Sequence, residues 1–125
     1  MASGSKERPR ETLRKYEILR GHGAVEGVLS RGKRFAGRYV HLFYLPAEEK
    51  KVAFLAARKY RKAVQRNRIK RLLREVYRKN KVLFPAGKWV FYGKFREPLP
   101  SYHQINQDVI ELIGTLSLGE DKNDQ

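Results

Sequence analysis

Residues 62–80, KAVQRNRIKRLLREVYRKN, combine a dense positive charge with apolar residues at regular spacing. Twelve of the chain's 28 Lys and Arg residues lie between positions 58 and 81, where Glu75 is the only acid. A helix that needs only solubility usually interleaves acids with its bases, so that they pair three or four residues apart. Arginine guanidiniums match the geometry of phosphate oxygens. The segment therefore predicts a helix that binds a polyanion, and nucleic acid is favoured.

The two properties of this segment fall on different faces of the predicted helix. An apolar stripe at i, i+3, i+4 and i+7 spacing is typical of a core-packed face, and it contains Ile69, Leu72, Leu73 and Val76, with Tyr77 at its edge. The opposite ridge is polar and contains Asn67, Arg71, Arg74 and Arg78, while Arg66, Lys70 and Arg68 border the stripe. An asparagine on such a ridge can hydrogen-bond to a base edge or a 2′-hydroxyl.

The composition narrows the class of protein. The 125 residues carry a formal net charge of +15, which fits one domain whose usual neighbour is a polyanion. The absence of cysteine excludes disulfides and thiolate metal sites. No apolar run approaches the roughly 20 residues of a membrane span, and the N-terminus has no signal-peptide core. We therefore expect a cytoplasmic protein with no membrane partner.

Catalytic groups are not evident in the sequence. The three histidines, His22, His41 and His103, are scattered and show no metal-ligand spacing. The acids do not form the paired carboxylates that a metal-dependent nuclease needs. We expect the protein to hold no metal of its own and not to be a catalyst by itself.

The surrounding elements predict an α+β fold with one sheet. We predict a helix at 23–32, strands at 38–45 and 51–57 that can pair antiparallel, and a strand at 88–95 after the basic helix. A short strand at 31–36 is a further candidate. The strands at 51–57 and 88–95 flank the basic helix, so they can lie parallel as a βαβ unit.

The C-terminal part of the chain predicts another amphipathic helix. Ser101 and Gln104 match a capping box, and apolar residues then recur at helical spacing at Ile105, Val109, Leu112 and Leu116. We expect the whole chain to divide into a flexible basic arm (1–12), a single nucleic-acid-binding α/β domain (13–117) and an acidic frayed tail (118–125).

The stretch KAVQRNRIKRLLRE resembles the protein component of bacterial ribonuclease P, whose characteristic helix reads Ala-Val-x-Arg-Asn-Arg-x-Lys-Arg-x-x-Arg. The matching positions are Ala63, Val64, Arg66, Asn67, Arg68, Lys70, Arg71 and Arg74. The resemblance extends from about Leu19 to Leu116 and includes VEGVLSRGKRFAGRYVHLFYL. It implies an α-β-β-β-α-β-α order with a left-handed βαβ crossover, a fold of the ribosomal protein S5 domain 2 type.

The resemblance also implies a function. The family assists a catalytic RNA in the magnesium-dependent removal of the 5′ leader from precursor tRNA, and the Mg²⁺ is held mainly by the RNA. The implied partners are this catalytic RNA and precursor tRNA, with no small-molecule substrate. Residues expected to contact RNA are Arg58, Lys59, Arg66, Asn67, Arg68, Lys70, Arg71, Arg74 and Arg78. A leader-binding cleft between the first helix and the open sheet face is expected to contain Val25, Leu29, Arg38 and Phe43.

Some positions depart from the family pattern. Ala53, Ala57 and Arg61 stand where the family usually has Gly, Ser and Gly. Two other functions remain open at this point. A general RNA-binding or ribosomal protein would bind many RNAs and stimulate no cleavage. A DNA-binding regulator is disfavoured, because a strand rather than a first helix precedes residues 62–80.

Overall fold

A computed structural model describes the chain from Glu17 to Asn123, with side chains described as far as Thr115. The predicted arm of residues 1–12 lies outside this range. The helices are α1 (His22–Arg31), α2 (Ala63–Lys79) and α3 (Tyr102–Asn123). The strands are β1 (Lys33–Ala36), β2 (Val40–Leu45), β3 (Lys51–Ala56) and β4 (Lys88–Gly93). A 3₁₀ turn, Lys81–Leu83, follows α2. This α+β architecture and its element order are those predicted from the sequence.

The four strands form one mixed sheet in the order β1-β2-β4-β3. β4 pairs antiparallel with β2 and parallel with β3, so the predicted βαβ unit is confirmed. The predicted antiparallel pairing of the strands at 38–45 and 51–57 is wrong, because β4 lies between them. The central position suits β4, in which Trp89, Val90 and Phe91 are all buried, since a central strand is covered on both faces.

The sheet separates two apolar clusters. Helices α2 and α3 cover one face, where Leu42 and Phe91 pack with Leu73 and Val109. Helix α1 covers part of the other face through Val28, which joins a smaller cluster that also contains Leu19, Ala53 and Val90. Because α1 is only 10 residues long, it leaves the part of this face near the carboxyl end of β4 open.

Helix α3 begins with the predicted capping box. The Ser101 backbone N–H donates to Gln104 Oε1 (2.9 Å), and the Gln104 N–H donates to Ser101 Oγ (3.2 Å). At its other end the helix continues through Asn123, so it includes most of the segment 118–125 that we predicted to be a frayed tail. The apolar spacing ends near Leu116, but no proline follows to stop the helix.

One buried acid connects α3 to the turn between β1 and β2. Asp108, 8% exposed, accepts hydrogen bonds from the backbone N–H groups of Arg38 (3.1 Å), Tyr39 (2.8 Å) and Val40 (3.0 Å). The three hydrogen bonds from backbone donors offset the free-energy cost of burying this carboxylate. Between Glu17 and Asn123, no helix is long and apolar enough to cross a membrane.

Candidate nucleic-acid interface

Helix α2 is anchored by the face that the sequence predicts to be apolar. Ile69, Leu73, Val76 and Tyr77 are at most 1% exposed and pack in the main core. Leu72 differs from the prediction, because it is only partly buried and lies at the edge of that core. The apolar spacing therefore fixes the rotation of the helix, and the remaining side chains face away from the sheet.

The outward side of α2 carries Asn67, Arg68, Arg71 and Arg74, all exposed, which we call the basic face. Within the described residues, the side chains of Asn67, Arg68 and Arg71 form no hydrogen bond or ion pair. Arg74 lies over the ring of Phe54, with its guanidinium carbon 5.6 Å from the ring centroid. Lys70 is partly buried beside this face. Unpartnered guanidiniums at this density form a surface that attracts anions.

Two of the predicted RNA-binding residues have partners inside the protein. Arg66 donates from Nη1 to the carbonyl oxygens of Tyr60 (2.7 Å) and Arg61 (3.0 Å). Arg78 forms an ion pair with Glu75 at 2.8 Å, and this hydrogen-bonded contact lowers the pKa of the Glu75 carboxyl. These side chains are therefore less available to a partner than the rest of the basic face.

Arg58 and Lys59 follow β3 and line a shallow depression of about 350 Å³ at the carboxyl ends of β3 and β4. We call it the aromatic depression, and its lining is His41, Ala57, Arg58, Lys59, Tyr92, Lys94 and Phe95. The ring of His41 stacks on that of Tyr92, with centroids 6.0 Å apart and planes 9° apart. The Lys59 ammonium lies 5.2 Å from the Phe95 ring centroid. Aromatic rings beside cations can contact both the bases and the phosphates of a single strand.

Three of the predicted cleft residues lie together. Val25 and Leu29 on α1 and Phe43 on β2 are half-buried around the smaller apolar cluster. The Phe43 ring is 6.4 Å from that of His41, edge to face, so this group is continuous with the aromatic depression. The structure places Arg38 elsewhere, in a polar depression with Tyr39, Gln104, Gln107, Asp108 and Glu111.

Several residues of the aromatic depression were not among the predicted site residues. His41 lies two residues before Phe43 on β2. Because side chains two apart in a strand point to the same face, the sequence could have placed both on one face. Tyr92 opposes His41 in the β2–β4 register, which the sequence does not show. Lys94 directly follows β4, and no sequence motif marks it as a site residue.

The electrostatics of this region favour a neutral imidazole. Burial lowers the pKa of His41, and the positive charges of Lys94 and Arg34 lower it further, while Asp108 opposes them. Its Nδ1 atom is buried and has no hydrogen-bond partner among the described residues.

Within the described part of the chain, no group of three or more His, Asp or Glu side chains is placed to hold a metal ion.

Comparison with known proteins identifies the family of this chain. A family model described as ribonuclease P matches residues 13–117. The chain belongs to the ribonuclease P protein family. Its curated relatives include the ribonuclease P protein component of Nitratiruptor sp., which is 34% identical over 101 residues, 81% of this chain and 93% of the relative. That of Thermus brockianus is 47% identical over 99 residues, 79% of this chain and 59% of the relative.

Solved ribonuclease P proteins share the fold. The protein from Staphylococcus aureus superposes with a TM-score of 0.69 at 18% identity, covering 80% of this chain and 94% of its own. The protein from Thermotoga maritima gives a TM-score of 0.65 at 24% identity, covering 78% and 94%. Membership of this family supports a role in the ribonuclease P holoenzyme and thus in tRNA processing, as the partner of an RNA subunit.

Proposed function

We propose that this protein is the subunit of ribonuclease P that binds the catalytic RNA through the basic face of α2. The observation that supports this most directly is the exposure of Arg68 and Arg71 on α2, whose side chains form no hydrogen bond or ion pair in the described part of the chain. Like charges along one helix ridge repel by a few tenths of a kcal/mol per pair, and phosphates would remove that cost. Arg58 and Lys59 extend the same positive surface toward the sheet.

We further propose that the 5′ leader of precursor tRNA crosses the open sheet face along Phe43, His41 and Tyr92. These rings follow one another on the surface, with Phe43 to His41 at 6.4 Å and His41 to Tyr92 at 6.0 Å. Val25 and Leu29 border this path on α1, and Lys94 and Arg58 supply positive charge at its far end. Single strands are bound by such combinations of stacking surfaces and cations.

In this proposal the protein supplies binding and positioning, and the RNA supplies the chemistry. Mg²⁺ would be held mainly by the RNA. The protein would raise the affinity for precursor tRNA and lower the magnesium concentration that cleavage requires, because its cations offset part of the phosphate repulsion.

Reconstitution tests the proposal. Purified protein is mixed with a bacterial ribonuclease P RNA and an end-labelled precursor tRNA at low magnesium, and cleavage at the mature 5′ end is followed. We expect stimulation by the native protein, strong loss with Arg68→Ala combined with Arg71→Ala, and little loss with Arg20→Ala, an exposed cation outside both surfaces. Tight RNA binding without stimulation would instead indicate a general RNA-binding protein.

A further inference from the structure

A second concave site lies beside the basic face, between α2 and the loop that leads into α3. This notch has a volume of about 510 Å³ and is lined by Arg68, Leu72, Pro98, Leu99, Pro100, Ser101 and Tyr102. Arg68 is the only charged residue in the lining, and its guanidinium forms no hydrogen bond or ion pair within the described residues. We call this site the Tyr102 notch. It lies on the opposite side of the sheet from α1 and so is separate from the proposed leader path.

The apolar lining of the notch is held in place by the core. Leu72, Leu99 and Tyr102 are each partly buried and pack against the main apolar cluster, while part of each side chain stays accessible from the notch. Pro100 is buried and Pro98 is exposed. Prolines and core-anchored side chains lose little conformational entropy when a ligand binds, so the notch is largely preformed.

The side chains that line the notch indicate what kind of ligand it would bind. An aromatic ring and aliphatic walls suit a flat group with an apolar face, and the single guanidinium at the rim suits an anion joined to that group. An unpaired nucleotide has both parts, a base and a phosphate. An apolar peptide side chain would fill the walls but leave Arg68 without a partner, and the neighbouring basic face would repel a basic peptide.

We propose that the Tyr102 notch receives an unpaired nucleobase of the RNA bound by the basic face, with the phosphate of that nucleotide on Arg68. The proposal rests on the proposed function, since it needs RNA on α2. It adds a stacking contact that fixes the register of the RNA on the helix, which the phosphate contacts of Arg71 and its neighbours do not specify.

Affinity measurements with a bacterial ribonuclease P RNA test the contact. Removal of an aromatic stacking partner by alanine costs about 5- to 100-fold in affinity. We expect Tyr102→Ala to weaken binding within that range, with an unchanged dependence on salt because no phosphate contact is lost. Tyr102→Phe should retain native affinity. Circular dichroism and thermal unfolding of each variant exclude loss of the fold as the cause, and Leu99→Ala gives a second, smaller truncation of the same site.

The controls separate this inference from the proposed function. If Arg71→Ala weakens binding and Tyr102→Ala does not, the notch is not an RNA site and the proposed function still stands. If neither variant weakens binding, RNA does not lie on the basic face and both proposals fail.

Proximity labelling provides an independent readout, because the chain contains no cysteine. His103→Cys places one thiol beside the notch, at the exposed residue that follows Tyr102, and an azidophenacyl group attached to it is photoactivated in the complex. We expect crosslinks concentrated at one unpaired nucleotide. The matched control is Glu48→Cys, an exposed position before β3. Crosslinks spread along paired regions, or the same pattern from both thiols, would overturn the proposal.

Discussion

The guanidinium of Arg66 donates a 2.7 Å hydrogen bond to the backbone carbonyl oxygen of Tyr60, six residues earlier in the chain. Tyr60 is itself buried, and its hydroxyl donates to the Lys94 carbonyl at 2.8 Å. Arg66 thus connects the first turns of α2 to the segment that carries Arg58 and Lys59, and through Tyr60 to the end of β4. An arginine that the sequence assigns to RNA binding also holds two parts of the proposed interface together.

Replacing Arg66 by alanine should therefore lower stability as well as RNA affinity. The variant loses two charge-assisted hydrogen bonds, so we expect the free energy of unfolding to fall by about 1–3 kcal/mol. Arg71→Ala, on the same helix but with no partner in the described residues, should stay within about 0.5 kcal/mol of the native protein. Urea denaturation measures both, and equal stabilities for the two variants would show that the Arg66 contacts contribute nothing.

The exposed position of Arg71 leads to a prediction about salt. Each phosphate contact releases counterions, so removal of one contact lowers the steepness with which affinity falls as salt rises. We expect Arg71→Ala to weaken RNA binding and to reduce the slope of log K against log salt by about 1. Filter binding at several salt concentrations measures the slope. A slope unchanged from the native protein would mean that Arg71 does not contact phosphate.

The faces of α2 could be predicted because helical periodicity depends only on neighbours in sequence. The role of Arg66 could not, since its acceptors are carbonyl oxygens whose position depends on the path of residues 57–62. The predicted strand order was also wrong in one respect, because β2 and β3 are not neighbours in the sheet. Local patterns place β2 and β3 next to each other in the chain, whereas the crossover through α2 inserts β4 between them.

The proposed leader path was also only partly predictable from the sequence. Phe43, Val25 and Leu29 lie around one apolar cluster, and they were grouped on the strength of a family resemblance rather than of their spacing. His41 and Tyr92 join them only through the β2–β4 register, which pairs residues about 50 positions apart. Arg38 was expected in the same cleft, but Asp108 holds the turn that carries it on another part of the surface.

The contact between Asp108 and the β1–β2 turn should be important for stability. Asp108→Ala leaves three backbone donors without their acceptor, and we expect a loss of about 3 kcal/mol. Gly37→Ala should also destabilise the fold, because its Cβ would lie 2.5 Å from Asp108 Oδ2 and 2.7 Å from the Val40 carbonyl oxygen. Thermal unfolding measures both. Ala36→Gly, at the exposed neighbouring position, is the control, and a comparable loss there would point to the turn backbone instead.

Tyr92 provides a test that is specific to the leader. Tyr92→Ala removes the ring that stacks on His41, so binding of precursor tRNA should weaken by about 5- to 100-fold in the holoenzyme. Mature tRNA, which has no leader, should bind with native affinity. Competition binding with the two tRNAs compares them directly. Equal weakening for both would locate Tyr92 at a contact with the tRNA body or with the RNA subunit.

His41 should make the stability of the protein depend on pH. Burial and the nearby Lys94 and Arg34 lower its pKa in the folded state below the ordinary value of 6.5, so the unfolded chain binds a proton more readily than the folded one. As pH falls through 6.5, protonation therefore favours unfolding, and the native protein loses stability until the folded-state pKa is passed. Above pH 7.5 both states are neutral and the effect vanishes.

We expect His41→Phe to lose less stability than the native protein between pH 7.5 and 5.5. Urea titrations across this range give the difference in stability between the two proteins. Parallel pH profiles would mean that His41 titrates in the folded protein as it does in the unfolded chain.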